Sequence, residues 1–272
     1  MSRKIFFAIT LAGLLFSQVV QALNKEPPLP SDCAEAEKAT DLQAKVSLYT
    51  RCLEGNDKYG RSLEAYQRDN MHFYRANALF ELRRYAEALA DYDRVIAKTY
   101  SGHVWALHQR GLTHRAMGQH RLALADFNRA LEFNSDAVWV RFDRGQLFAE
   151  MGLYQPAIED LHMAATSSPK TAVYANALAW LLATCPDAKI HDGKEAVHFA
   201  PKAVNIDRNA QYLDTLAAAQ ARKGDFKQAV ETQQAALDLL RKDGAVQEII
   251  KEFNARLSLY TAGTPYTQHR SE

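Results

Sequence analysis

The sequence predicts an all-α fold, a solenoid of antiparallel helix pairs. Two observations carry this reading. The first is a repeat within residues 106–173. Arg110-Gly111 recurs as Arg144-Gly145, Met117-Gly118 as Met151-Gly152, Ala123 as Ala157, Asp126 as Asp160 and Ala130 as Ala164, each 34 residues on. A fixed period of this size marks a stacked repeat array. The second is composition. Glycine and proline are sparse (12 and 8 in 272 residues), and alanine and leucine fill the apolar runs, which favours helix over strand. The net charge of +1 leaves out the basic excess that long-range attraction to nucleic acid requires.

The elements follow in order. Residues 1–22 have the layout of a secretory signal peptide: Arg3 and Lys4, an apolar run over 5–20, then small residues at Val20 and Ala22. The alternative is an uncleaved inner-membrane anchor, since the run is only slightly short of a span. The expected location is periplasmic or secreted, with no membrane span after cleavage. Residues 23–31 form a linker stiffened by Pro27, Pro28 and Pro30, and Ser31-Asp32 offers a helix N-cap. Residues 32–57 read as an irregular helix pair, with Val46, Tyr49, Cys52 and Leu53 on one face of its second helix. Cys33 and Cys52 lie 19 residues apart and form a plausible disulfide in an oxidising compartment; the alternative is two small core residues that never meet.

Residues 58–68 are either loop or an early helix start. A helix over 70–82 carries Phe73, Ala76, Leu79 and Phe80 on one side, and its return over 85–98 turns Ala88, Leu89, Tyr92 and Val95 inward. Two regular pairs follow to residue 173, and two looser pairs over 174–243. Pro201 should kink the return helix of the first of these. The loop over 185–193 carries five extra residues. A last helix within 245–262 presents Ile249, Ile250, Phe253, Leu257 and Tyr260 as its apolar face, with Lys251, Glu252, Asn254 and Arg256 largely elsewhere, and caps the stack.

The recurring set resembles the tetratricopeptide repeat. Small residues fall at Ala76, Gly111 and Gly145 in the first helices. The turns carry Gly118 and Gly152, replaced by Arg83 in the earlier copy, with Tyr85, His120 and Tyr154 just after. Ala88, Tyr92 and Val95, then Ala123, Phe127 and Ala130, then Ala157, Leu161 and Ala164 follow along the second helices. The resemblance implies a right-handed superhelical solenoid whose first helices line a concave groove. It places Phe73, Asn77, Phe80 and Glu81, then Trp105, His108, Leu112 and Arg115, then Trp139, Phe142, Gln146 and Glu150 in that groove. Aromatic side chains among polar groups suit recognition of a peptide or helix. Phe73, Trp105, Trp139 and Phe142 equally suit packing between helices.

Arg75, Arg110 and Arg144 each precede Asp91, Asp126 and Asp160 by 16 residues. They form either a charged ladder for a ligand or a repeated helix-to-helix ion pair, and regular recurrence favours the second. Exposed, each pair would contribute at most about 1 kcal/mol.

No phosphate loop, His-Glu-x-x-His or Cys-x-x-Cys is present, and His108, His114 and His120 do not share a helix face. Cys185 with His191 and His198 lacks an identifiable oxyanion donor. The expectation is a non-enzymatic interaction module or scaffold of the bacterial envelope, without cofactor or metal, binding another protein or peptide. The alternative is a self-associating structural accessory, joined through an uncapped end or the apolar face near Trp180.

Overall fold

The computed structural model describes residues 29–55, 63–98 and 103–268. The signal segment, most of the linker, and the connections at 56–62 and 99–102 lie outside these. Among the described residues there are thirteen α-helices, one 3-10 turn and no strand. The helices are α1 (Ser31–Lys38), α2 (Leu42–Glu54), α3 (Ala65–Glu81), α4 (Tyr85–Lys98), α5 (Val104–Ala116), α6 (His120–Phe133) and α7 (Val138–Glu150), followed by α8 (Tyr154–Ser167), α9 (Ala172–Thr184), α10 (Gly193–Ile206), α11 (Ala210–Lys223), α12 (Phe226–Lys242) and α13 (Gln247–Thr261). None of the described helices is long and apolar enough to cross a membrane. The chain divides into two compact units, residues 1–95 and 96–272.

In the first unit α1 packs on α2 and α2 on α3, around Cys33, Ala36, Tyr49, Cys52, Leu63 and Met71. Cys33 and Cys52 are joined, with Cα atoms 5.2 Å apart. The N-cap of α1 is Pro30 rather than Ser31 or Asp32. Asp32 sits in the first turn and accepts from Arg51 of α2, a second tie between the same helices. Asp41 caps α2 by accepting from the Ala44 N–H, and Gly55 ends it in the left-handed region. The third helix starts at Ala65, earlier than the expected Asn70. Glu64 and Gln67 form a reciprocal capping box there, satisfying two otherwise orphaned donors. At the turn between α3 and α4, Arg83 takes φ 57°, the conformation glycine supplies in later copies.

The second unit is a run of pairs: α5 with α6, α7 with α8, α9 with α10 and α11 with α12. Each second helix packs on the next first helix, and α5, α7, α9 and α11 also touch in succession. The reason lies in the small residues. A Cβ on Gly111 would lie 2.6 Å from the Phe127 ring, so α5 and α6 approach this closely only with glycine there. Ala179 and Ala217 are fully buried at the corresponding places. Helix α10 runs continuously through Pro201. The enlarged loop folds back on itself, with His191 Nε2 2.6 Å from the Cys185 carbonyl oxygen.

Helix α13 differs from its expected face. Phe253 and Tyr260 are buried as predicted, but Ile249 is exposed and Arg256 is buried. Arg256 Nε donates to Asp214 of α11 at 2.7 Å, and the guanidinium lies over the Phe253 ring at 4.7 Å. Beyond α13 the chain turns back over α9. Arg222 donates to the carbonyl oxygens of Ala183 and Tyr266 and to the Thr267 hydroxyl, and the Gln268 N–H donates to the Thr184 carbonyl.

Candidate functional site

The predicted groove residues fall in both units. In the first, Phe73 is half-buried with its ring 6.1 Å from Tyr92, and Asn77 accepts from the Tyr92 hydroxyl at 2.7 Å. The Phe80 ring lies 5.7 Å from Tyr85, and Glu81 is exposed.

In the second unit the first helices bring their predicted residues together in cross-helix pairs. Trp105 of α5 and Trp139 of α7 stack at 4.5 Å with 9° between planes. His108 Nε2 lies 2.6 Å from Asp143 Oδ2. Arg115 donates to both Glu150 oxygens and to Gln146 Oε1. Leu112 is half-buried, and the Phe142 ring sits 4.7 Å from Tyr174 of α9. His108 and Arg115, expected to line the groove, are therefore engaged in ties between helices. Replacing them together removes those ties as well as any contact to a partner.

The Arg–Asp pairs join the two helices of a repeat. Arg75, Arg110 and Arg144 each grip Asp91, Asp126 and Asp160 with two nitrogens. The carboxylates are buried, at 2%, 5% and 4% exposure, so these are not the surface pairs that contribute little. Burial would raise the Asp91 carboxyl. The hydrogen bonds and charges of Arg75 and His72 outweigh it and hold that group below its ordinary 3.8.

A cavity lies further along the second unit than most of the groove residues named from the sequence. This open cavity of about 720 Å³ is lined mainly by α7, α9, α11 and α13, and also by Arg115 of α5 and Gln268 of the returning tail. Only Arg115, Gln146 and Glu150 of the predicted set line it. Val173, Asn176, Ala177 and Trp180 of α9 form one wall, and Ile249, Glu252, Phe253 and Arg256 of α13 another. Asn176 is 7% exposed, and its Oδ1 is buried without a hydrogen-bond partner. Trp180 is half-buried, its ring 6.0 Å from Tyr266, so it is a wall of the cavity more than a free apolar face. At the deep end burial pushes the Asp214 carboxyl up, against the pull of Arg256 and Gln233.

Among the described residues no three His, Cys, Asp or Glu side chains gather as a metal site. His103 instead caps α5 by accepting from the Ala106 N–H, and His114 Nδ1 lies 2.7 Å from Gln119 Oε1.

The sequence model of the tetratricopeptide repeat family matches residues 106–136, from the first turn of α5 to just past the end of α6. Residues 106–136 thus match one tetratricopeptide repeat. Solved structures of the same architecture agree. MamA from Desulfovibrio magneticus RS-1 is similar at TM-score 0.56 and 18% identity, over 64% of this chain and 96% of that one. YrrB, described as a tetratricopeptide repeat protein with an unusual peptide-binding site, reaches 0.56 at 17% identity, over 76% and 97%. A tetratricopeptide repeat protein from Parabacteroides merdae ATCC 43184 reaches 0.53 at 21%, over 81% and 78%. At these identities the likeness is one of fold. Repeat register also connects the groove residues to the cavity. One further step of 34 from Trp139, Phe142 and Gln146 reaches Val173, Asn176 and Trp180. These lie one copy beyond the groove residues named from the sequence.

Proposed function

We propose that this tetratricopeptide repeat chain is a non-enzymatic interaction module or scaffold of the bacterial cell envelope, and that it binds a peptide or helix of a partner protein in the cavity of the second unit. The observation that carries the reading is the cavity itself. Successive first helices build one concave wall with apolar side chains and a few polar groups directed into it, and its volume of about 720 Å³ is that of a recognition site. A helix with side chains is about 10–12 Å across, so a cavity of this size takes one face of it or a short extended segment. The envelope setting rests on the signal-like residues 1–22 and on the Cys33–Cys52 bridge, which suits an oxidising compartment.

The test is site-directed photocrosslinking in cells. A photoreactive residue at Val173, in the cavity, should yield a discrete protein adduct in the envelope fraction. The same residue at Met163, exposed on α8 and outside the cavity, should not. Equal adducts from both positions refute the placement. An adduct made only of a second copy of this chain supports self-association instead.

A further inference from the structure

We propose that the cavity selects a segment carrying a lysine or arginine beside an apolar side chain, and rejects acidic segments and free carboxylates. This rests on the reading of the cavity as a partner site. The cations that line the cavity are already engaged. Arg115 is held by Glu150 and Gln146, and Arg256 is buried against Asp214 with the Phe253 ring below it. The acids are in excess. Glu150 keeps 43% of its side chain exposed, and Glu252 is exposed on the α13 wall with no ion-pair partner among the described residues. Among the described residues lining the cavity, an incoming carboxylate would meet Glu150, Asp214 and Glu252 with no free cation to receive it.

Asn176 points to the same chemistry. Its Oδ1 is a buried acceptor on the cavity wall that lacks a donor, and such an atom carries the cost of lost hydration until a donor arrives. An ammonium, a guanidinium or a peptide N–H supplies donors only or donors first; a carboxylate supplies none. Around Asn176 and Glu252 the wall is apolar. Val173 and Ile249 are 40% and 42% exposed, beside Ala177 and Trp180, so a neighbouring apolar side chain has a surface to cover.

The experiment uses the full mature chain and two labelled synthetic peptides with identical apolar residues. One carries lysines and the other glutamates at the polar positions, and binding is read by fluorescence anisotropy. The lysine peptide should bind at least about tenfold more tightly, with the gap narrowing as salt is raised. Glu252→Lys should weaken the lysine peptide and strengthen the glutamate peptide. Its thermal unfolding should match the parent, because Glu252 is exposed and unpaired. Ala177→Arg, which fills the wall, should block the lysine peptide. Equal affinities, or tighter binding of the glutamate peptide blocked by Ala177→Arg, overturn the charge selectivity and leave the cavity as the partner site. Binding of neither peptide at millimolar concentration overturns both.

Discussion

Removing one member of the Arg110–Asp126 pair should cost far more than removing both. Arg110 donates to both Asp126 oxygens, from Nε at 2.9 Å and Nη2 at 2.5 Å. The Asp126 side chain is 7% exposed and the Arg110 side chain 20%, so the carboxylate is the buried partner. In Arg110→Met the carboxylate keeps, among the described residues, only His114, 3.8 Å away. Breaking a buried pair from one side typically costs about 3–5 kcal/mol; the partial exposure of Arg110 lets water reach the gap, so about 3 kcal/mol is expected. Replacing both with apolar residues, Arg110→Met with Asp126→Leu, removes the buried charge as well and should fall within about 1 kcal/mol of the parent. A double-mutant cycle would then return a coupling of about 2–3 kcal/mol. Repeat arrays unfold in segments, so the assay is hydrogen exchange resolved to α5 and α6 beside a urea titration. A loss of about 3 kcal/mol lowers protection there roughly a hundredfold. A single variant costing under about 0.5 kcal/mol, or a double variant as damaging as the single, would refute the reasoning.

Three further outcomes follow from local geometry. A Cβ on Gly193 would lie 2.6 Å from the Lys223 backbone nitrogen, on Gly111 2.6 Å from the movable Phe127 ring, and on Gly145 3.0 Å from Leu161. Thermal melts should therefore rank the alanine variants Gly193 worst, at about 3 kcal/mol, Gly111 next at about 1–3, and Gly145 mildest; a reversed order contradicts the packing argument. Arg83→Gly relieves a left-handed backbone and should stabilise the first unit by about 0.5–1 kcal/mol in urea, whereas a loss would mean that the Arg83 side chain matters. The Asp91 carboxyl titrates lower folded than its ordinary 3.8, so its contribution is present above that pH and lost as pH falls through the depressed folded value. Asp91→Asn should flatten that acid limb in urea titrations at pH 7 and pH 3; an unchanged limb contradicts the pairing.

The regular features were legible because each is a local or fixed-period constraint. Gly118 and Gly152 occupy φ 71° and 73°, turns that other residues enter only with strain. The Arg–Asp spacing was readable, but not that the carboxylates are buried, since burial depends on the neighbouring helix. The start of α3 falls within 58–68, where the sequence leaves loop and early helix both open, because Glu64 and Gln67 make an uncommon cap with no serine or threonine to announce it. Arg256 was placed outward by its charge. Its partner Asp214 is 42 residues away, beyond any helical or repeat period. One cavity wall belongs to α13, whose contacts no spacing within the repeats encodes, whereas the α9 wall continues the 34-residue register of Trp139, Phe142 and Gln146.

The most direct measurement is the affinity of the partner captured through Val173 for variants that differ only in which face they alter. Ala177→Arg places a long side chain in the cavity, and Met163→Arg places the same chain on exposed α8. The account predicts that Ala177→Arg weakens binding by at least about tenfold at unchanged helicity, while Met163→Arg binds as the parent does. Parent-like binding by Ala177→Arg, or loss of binding by Met163→Arg alone, would contradict it.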